Sequence, residues 1–158
     1  MKKKIFFLFI LSFPFFALAQ DNGNLSDRAP TDQPVKFTGE EKLKAFDQEI
    51  EPYVKQAHKT LAKAKKRFQK GLPKGDIFFV TVRIFDNDGK FEQVFIRVKE
   101  WEGDKISGYI ANDLSTVKEF RSGQLIAFKE KSVMDWTISK PDGSEEGNYV
   151  GKYLDTRQ

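Results

Sequence analysis

Residues 61–85 read LAKAKKRFQKGLPKGDIFFVTVRIF, and the period of the apolar residues changes once along this stretch. Up to Phe68 they recur every three or four positions; from Phe78 to Ile84 they recur every second position. The first spacing lines one side of an α-helix, and the second lines one face of a β-strand. Between the two stand Gly71 and Pro73, a helix stop followed by a residue that cannot continue a helix. The chain passes here from helix to sheet, so its class depends on what lies on either side.

Upstream, Leu43, Phe46, Ile50, Val54, Ala57, Leu61, Ala64 and Phe68 form one continuous stripe. Thr38-Gly39-Glu40-Glu41 has the T-x-x-E form of a capping box, with Thr38 as the N-cap. Pro52 interrupts the pattern, and proline removes a backbone donor and crowds the preceding turn, so a break or kink is expected near Glu51. The stripe is expected to face the sheet against Val80, Val82, Val94 and Ile96.

Downstream, the core-facing set Phe78, Val80, Val82 and Ile84 is wholly apolar. Asp86-Asn87-Asp88-Gly89 is hairpin-turn chemistry leading into Phe91 to Trp101, which should bury Val94, Ile96 and Val98. A further turn at Glu102-Gly103-Asp104 leads to Ile106 to Ala111. A loop from Asn112 to Gly123 precedes strands at Leu125 to Lys129 and Asp135 to Ser139. Pro141-Asp142-Gly143 is another turn, and Tyr149 to Leu154 reads as a last short strand. Strands joined by tight turns pair antiparallel. The expected class is α+β: a long N-terminal helix packed on a bent antiparallel sheet of about five strands.

The chain opens Met1-Lys2-Lys3-Lys4, runs apolar from Ile5 to Phe16 and reaches Ala17-Leu18-Ala19. This is the basic, apolar and small-residue order of a secretory signal peptide. The apolar run falls short of the roughly 20 residues a spanning helix needs. Residues 1–19 are expected to be cleaved, leaving a chain that begins at Gln20, has no transmembrane segment and is exported to the periplasm or the extracellular space. Residues 20–37, polar with Pro30 and Pro34, read as a flexible leader, and 38–158 as a single domain. Loss of Lys2, Lys3 and Lys4 reduces 27 basic residues to 24 against 23 acids, a net of +1. With no cysteine, stability must come from an apolar core, and there is no lipidation site at the cut.

Chemistry-bearing residues are sparse. His58 is the single histidine, which leaves no partner set for a histidine-based nucleophile or a zinc site. The Asp86 to Gly89 turn only echoes a calcium loop, because Ile84 and Phe95 stand where further ligands belong. Asp104, Asp113, Asp135 and Asp142 lie near turns or strand ends; a close carboxylate pair could hydrolyse a glycan, and sequence does not supply the distance. No metal or cofactor is implied. Lys55, Lys59, Lys63, Lys66 and Lys70 form a cationic stripe opposite Leu61 and Ala64, with no acid between Glu51 and Asp76. Such a stripe is either a solvated face or a contact for an anionic surface or envelope protein. Nucleic acid is not expected outside the cytoplasm, and no aromatics interleave these lysines. Trp136 reads either as a core residue beside a turn-capping Asp135, or as a ring offered to a ligand with Asp135 and Asn112 as polar orienters.

From about Val54 to Tyr153 the chain resembles the YegJ-like family, the bacterial domain of unknown function 2314. The resemblance is carried by the helix from Tyr53 to Leu61 with Phe68, the strand Ile77 to Ile84 and Trp101-Glu102-Gly103-Asp104. It continues through Gly108-Tyr109-Ile110-Ala111-Asn112, Arg121-Ser122-Gly123-Gln124, Asp135-Trp136 and Gly151-Lys152-Tyr153. Two departures stand out. The family commonly has Glu-His where this chain has Glu92-Gln93, and a threonine where it has Leu154. The resemblance implies no established activity, cofactor or substrate; the family's occurrence beside ankyrin repeats implies an interaction role. The sequence reading is therefore an exported, non-catalytic binding module. The alternative is a carboxylate-dependent hydrolase of envelope polymers using residues such as Asp113 and Asp135.

Overall fold

The computed structural model describes residues 40–157. The expected signal peptide, the leader and the Thr38 cap lie outside the described residues.

Helix α1 spans Glu40–Lys70. Six strands follow: β1 Ile77–Phe85, β2 Phe91–Glu102, β3 Lys105–Ile110, β4 Leu125–Lys129, β5 Val133–Ser139 and β6 Glu145–Gly147. A short helix α2, Tyr149–Asp155, closes the chain. The strands form one sheet in the order β4-β3-β2-β1-β5-β6, every neighbouring pair antiparallel. The architecture is α+β, with a helix packed on an antiparallel sheet of six strands where about five were expected. Register shifts between Thr81 and Val82 on the β5 side, and between Val98 and Glu100 on the β3 side, supply local bending. The Asp86 to Gly89 segment is a turn: the Asp86 carboxylate accepts the Lys90 N–H at 2.8 Å, and Gly89 takes a positive φ of 75°.

The core lies between α1 and one face of the sheet. Ala57, Leu61 and Ala64, with Phe68 beside them, pack with Phe78, Val80, Val82, Val94, Ile96, Trp101, Trp136 and Ile138. The expected contact of the helix stripe with Val80, Val82, Val94 and Ile96 holds for this C-terminal half. In the N-terminal half, Phe46 and Ile50 instead form a second cluster with Val150 of α2, joined by Tyr53, Val54, Met134, Tyr153 and Leu154. The rings of Tyr53 and Tyr153 stack at 4.1 Å between centroids, which ties the two helices together.

One local expectation is narrowed and one is corrected. No break occurs at Pro52: α1 runs through it. Pro52 and Gln48 are exposed, so the Gln48 carbonyl that loses its i+4 donor is on a side open to water. Tyr149 to Leu154 is helix rather than strand. Val150, Tyr153 and Leu154 lie one helical turn apart and face Phe46 and Ile50. The chain turns into this helix through Asn148, whose φ of 52° is left-handed, a conformation that asparagine tolerates better than most residues. The strand beside β5 is instead the three-residue β6.

Candidate functional site

Asp135 and Trp136 sit where β5 meets both helices. Asp135 is 1% exposed. One carboxylate oxygen accepts the Trp136 N–H at 2.8 Å, and the other accepts the Val150 N–H at 2.6 Å. Val150 is in the first turn of α2, where backbone donors lack intrahelical acceptors, so Asp135 caps this helix from another element. Trp136 is 5% exposed. Its indole N–H is directed at Thr60 Oγ1 at 3.0 Å and the Ala57 carbonyl at 3.3 Å, and its ring stacks on Phe78 and meets Tyr149 edge-on. Gly147 makes room for it: a Cβ there would come within 2.1 Å of the Trp136 carbonyl oxygen. Of the two sequence readings of Trp136, this geometry is that of the core tryptophan beside a capping aspartate.

Asn112 is not at the same mouth. Its Oδ1 accepts the Phe95 N–H at 2.8 Å, and its Nδ2 donates to the Asp113 carbonyl at 3.0 Å. Phe95 is on β2 and Asp135 on β5, with β1 between them, and both are in register with Thr81. Asn112 thus extends the β2–β3 ladder by one side-chain hydrogen bond as the chain leaves β3, alongside the Ala111 N–H to Phe95 carbonyl bond at 2.7 Å.

The loop that follows is held by Glu92, which sequence reasoning passed over. Glu92 is 1% exposed, and its carboxylate accepts the backbone N–H groups of Ser115, Thr116 and Val117 at 2.9–3.3 Å. Three successive amides converging on one carboxylate make an anion nest filled by the protein's own side chain. The signal was present: Glu92 has the same parity as core-facing Val94, Ile96 and Val98, so an acid occupied an inward position.

The lysines of α1 divide into two sets. Lys55 pairs with Glu51 at 2.8 Å. Outside the expected stripe, Lys65 pairs with Glu130 at 2.6 Å and Arg67 with Glu146. Lys59, Lys63, Lys66 and Lys70 are exposed, and among the described residues no carboxylate pairs with them. At 3.6 residues per turn these four fall within about 60° of one another and extend about 16 Å along the axis, opposite Ala57, Leu61 and Ala64. Beside the row is an open groove of about 390 Å³ lined by Lys63, Arg67, Trp136, Tyr149 and Lys152 among others.

Glu146 anchors the end of the row. The guanidinium of Arg67 and the ammonium of Lys140, both bonded to it, hold its carboxyl down at about 2, against an ordinary 4.5. A depressed carboxylate stabilises the fold fully above its unfolded pKa, and the contribution is lost as pH falls through the folded value. The urea midpoint should therefore drop between about pH 4.5 and 2, and drop less steeply in Glu146→Gln than in the wild type. Parallel curves for the two proteins would show that this ion triad adds nothing. The side chains are about one-third exposed, so solvent weakens the effect.

The remaining sequence candidates are dispersed. His58 contacts the Val133 carbonyl through Nε2 at 2.6 Å, so that nitrogen carries a proton and donates. Asp104 pairs with Lys129 at 2.8 Å, and Asp142 accepts the Ser144 N–H in the β5–β6 turn at 2.9 Å. Asp113 is exposed in the loop that Glu92 holds, whereas Asp135 is buried in its cap. A family model described as an uncharacterized protein conserved in bacteria (DUF2314) matches residues 47–157.

The chain belongs to the DUF2314 family.

The match takes in the sheet, α2 and α1 from Asp47 onward, so the lysine row, the Asp135 cap and the Glu92 nest all lie within the DUF2314 domain. No curated protein and no solved structure matches the chain. Among the described residues no helix is long and apolar enough to cross a membrane.

Proposed function

We propose that this DUF2314 protein is an exported, non-catalytic binding module that docks on an anionic surface of the cell envelope through the lysine row of α1. The supporting observation is the division of the helix cations. Lys55, Lys65 and Arg67 have acidic partners, whereas Lys59, Lys63, Lys66 and Lys70 share one exposed strip without one among the described residues. Solvated lysines facing one way concentrate positive potential at little conformational cost, because the helix beneath them is already held by the core. Export is supported by the basic, apolar and A-x-A order of residues 1–19.

Each lysine near an anionic membrane contributes about 1 kcal/mol. Four give an affinity on the order of millimolar. The test is co-sedimentation of the chain beginning at Gln20 with vesicles containing acidic phospholipid, at about 20 mM and 300 mM salt. Binding should appear at low salt, disappear at high salt as the charges are screened, and be lost in the Lys59, Lys63, Lys66 and Lys70 to Gln quadruple variant. These residues are exposed, so the variant should melt as the wild type does. No sedimentation at low salt, or equal sedimentation of the variant, would refute the proposal.

A further inference from the structure

The sheet ends on β4 at one side and β6 at the other. The two edges differ in how open they are to pairing. Strand β6 has three residues, and its Glu146 is engaged by Arg67 and Lys140. Strand β4 reads Leu125-Ile126-Ala127-Phe128-Lys129, with no proline and a single charge at its end. Natural sheet edges are commonly blunted by charges, proline or a bulge. Here the register with β3 runs unbroken from Leu125 to Lys129.

Hydrogen bonds flanking β4 fix which of its groups face outward. The Ile110 N–H donates to the Gln124 carbonyl at 3.0 Å, and the Glu130 N–H to the Asp104 carbonyl at 2.7 Å. Opposed antiparallel residues alternate between bonded and non-bonded pairs. Ile126 and Phe128 therefore bond to β3, whereas Leu125, Ala127 and Lys129 turn their N–H and C=O groups away from it. Among the described residues, no strand pairs with that outer side. The same three residues are the exposed ones in the strand, and Leu125 is 49% exposed. Ile126 and Phe128 are only partly buried, at the margin of the main core.

We infer that β4 pairs antiparallel with β4 of a second copy of this chain, about a two-fold axis at Ala127, joining two six-stranded sheets into one. The strand is its own complement in this register. Ala127 faces Ala127, and Leu125 faces Lys129 of the second copy on either side. All three pairs come from the outward set, so each exchanges two N–H···O=C bonds. Toward the core, Ile126 comes opposite Phe128 of the second copy at the closer spacing of non-bonded pairs, about 4.5 Å between Cα atoms. Each then covers the apolar margin that the other leaves open. No like charges meet: Lys129, already paired with Asp104 at 2.8 Å, lies over Leu125, and Glu130 comes opposite Gln124. Strand β6 in the same arrangement would set Glu146 against Glu146. A contact of β4 with β6 would be heterologous and would not close.

The chain has no cysteine, so Ala127→Cys introduces its only thiol. Cα atoms of a bonded antiparallel pair lie about 5.5 Å apart, within the span of a disulfide. In the chain beginning at Gln20, oxidation should link Ala127→Cys into a dimer at least about tenfold faster than Asp88→Cys in the exposed β1–β2 turn. Sedimentation equilibrium of the unsubstituted chain, from micromolar to sub-millimolar concentration, should show the mass rising toward two chains and stopping there. Ala127→Pro should hold it at one chain. The N–H that proline removes is not used in the β3 ladder, so the fold should survive. Should proline disturb the strand, Ala127→Lys replaces it, bringing two ammonium groups together at the axis. A single-chain mass throughout, growth beyond two chains, equal oxidation of the two cysteine variants, or a dimer that persists in Ala127→Lys would overturn the inference.

Discussion

Trp136→Ala should destabilise the domain by about 3–5 kcal/mol, the range for removing a large buried aromatic. The ring is 5% exposed, stacked on Phe78 and set edge-on against Tyr149, so its loss opens a cavity where α1, β1, β5 and α2 meet. The Thr60 hydroxyl and the Ala57 carbonyl also lose the indole donor. For a domain of this size, a loss of that order lowers the melting temperature by roughly 10 °C or more. Urea melts followed by circular dichroism provide the measurement. A companion experiment uses Trp101→Phe to leave Trp136 as the only tryptophan; iodide should quench it poorly. Efficient quenching together with an unchanged melting temperature for Trp136→Ala would make the indole a ligand-facing residue, and the groove between Lys63 and Tyr149 its site.

Glu92→Gln should cost about 3 kcal/mol, although it changes a single atom. A hydrogen bond to a charged group is worth about 1.5–3 kcal/mol, and a buried donor left without an acceptor costs about 1–3 kcal/mol. The carboxylate receives three consecutive backbone N–H groups and is 1% exposed. An amide in its place retains one acceptor oxygen but turns an NH₂ toward those same donors. The loop from Asn112 to Gly123 should loosen first, because Val117, 2% exposed, is its inward anchor. Hydrogen exchange should show the amides of Ser115, Thr116 and Val117 losing protection before the strands do. Wild-type stability and wild-type exchange in the Gln variant would mean that the nest is not what holds the loop.

Much of the fold was legible because helix and strand periods are properties of the backbone. The α1 stripe and the alternation in β1 and β2 could be read without knowing what they packed against. The errors have specific causes. Tyr149 to Leu154 carries residues compatible with both periods over too short a length to discriminate, and its helix depends on a cap supplied by Asp135 of β5. Pro52 is tolerated because it falls on the exposed side of a helix already held on its other side by Ile50 and Ala57. Strand β6 is too short to show a pattern. Of the residues singled out for function, Asp135, Trp136 and Asn112 proved to be bonded into backbone and core. The stripe of lysines remains as an exposed surface, with Lys55 paired to Glu51.

The sequence by itself determined the class of the chain, the boundary between helix and sheet, the inward faces of α1, β1 and β2, and membership in the DUF2314 family. The first three depend on spacing between near neighbours, which the backbone converts directly into direction; the last follows from the run of residues along 47–157. Only the tertiary structure decided what each polar group does. Trp136 finds its acceptors 76 and 79 residues away, Glu92 its donors 23 to 25 residues away, and Arg67 its carboxylate 79 residues away. A buried polar atom must be satisfied by whatever donor or acceptor the packing brings to it, and that choice is made by the stacking of helix on sheet and the order of the strands.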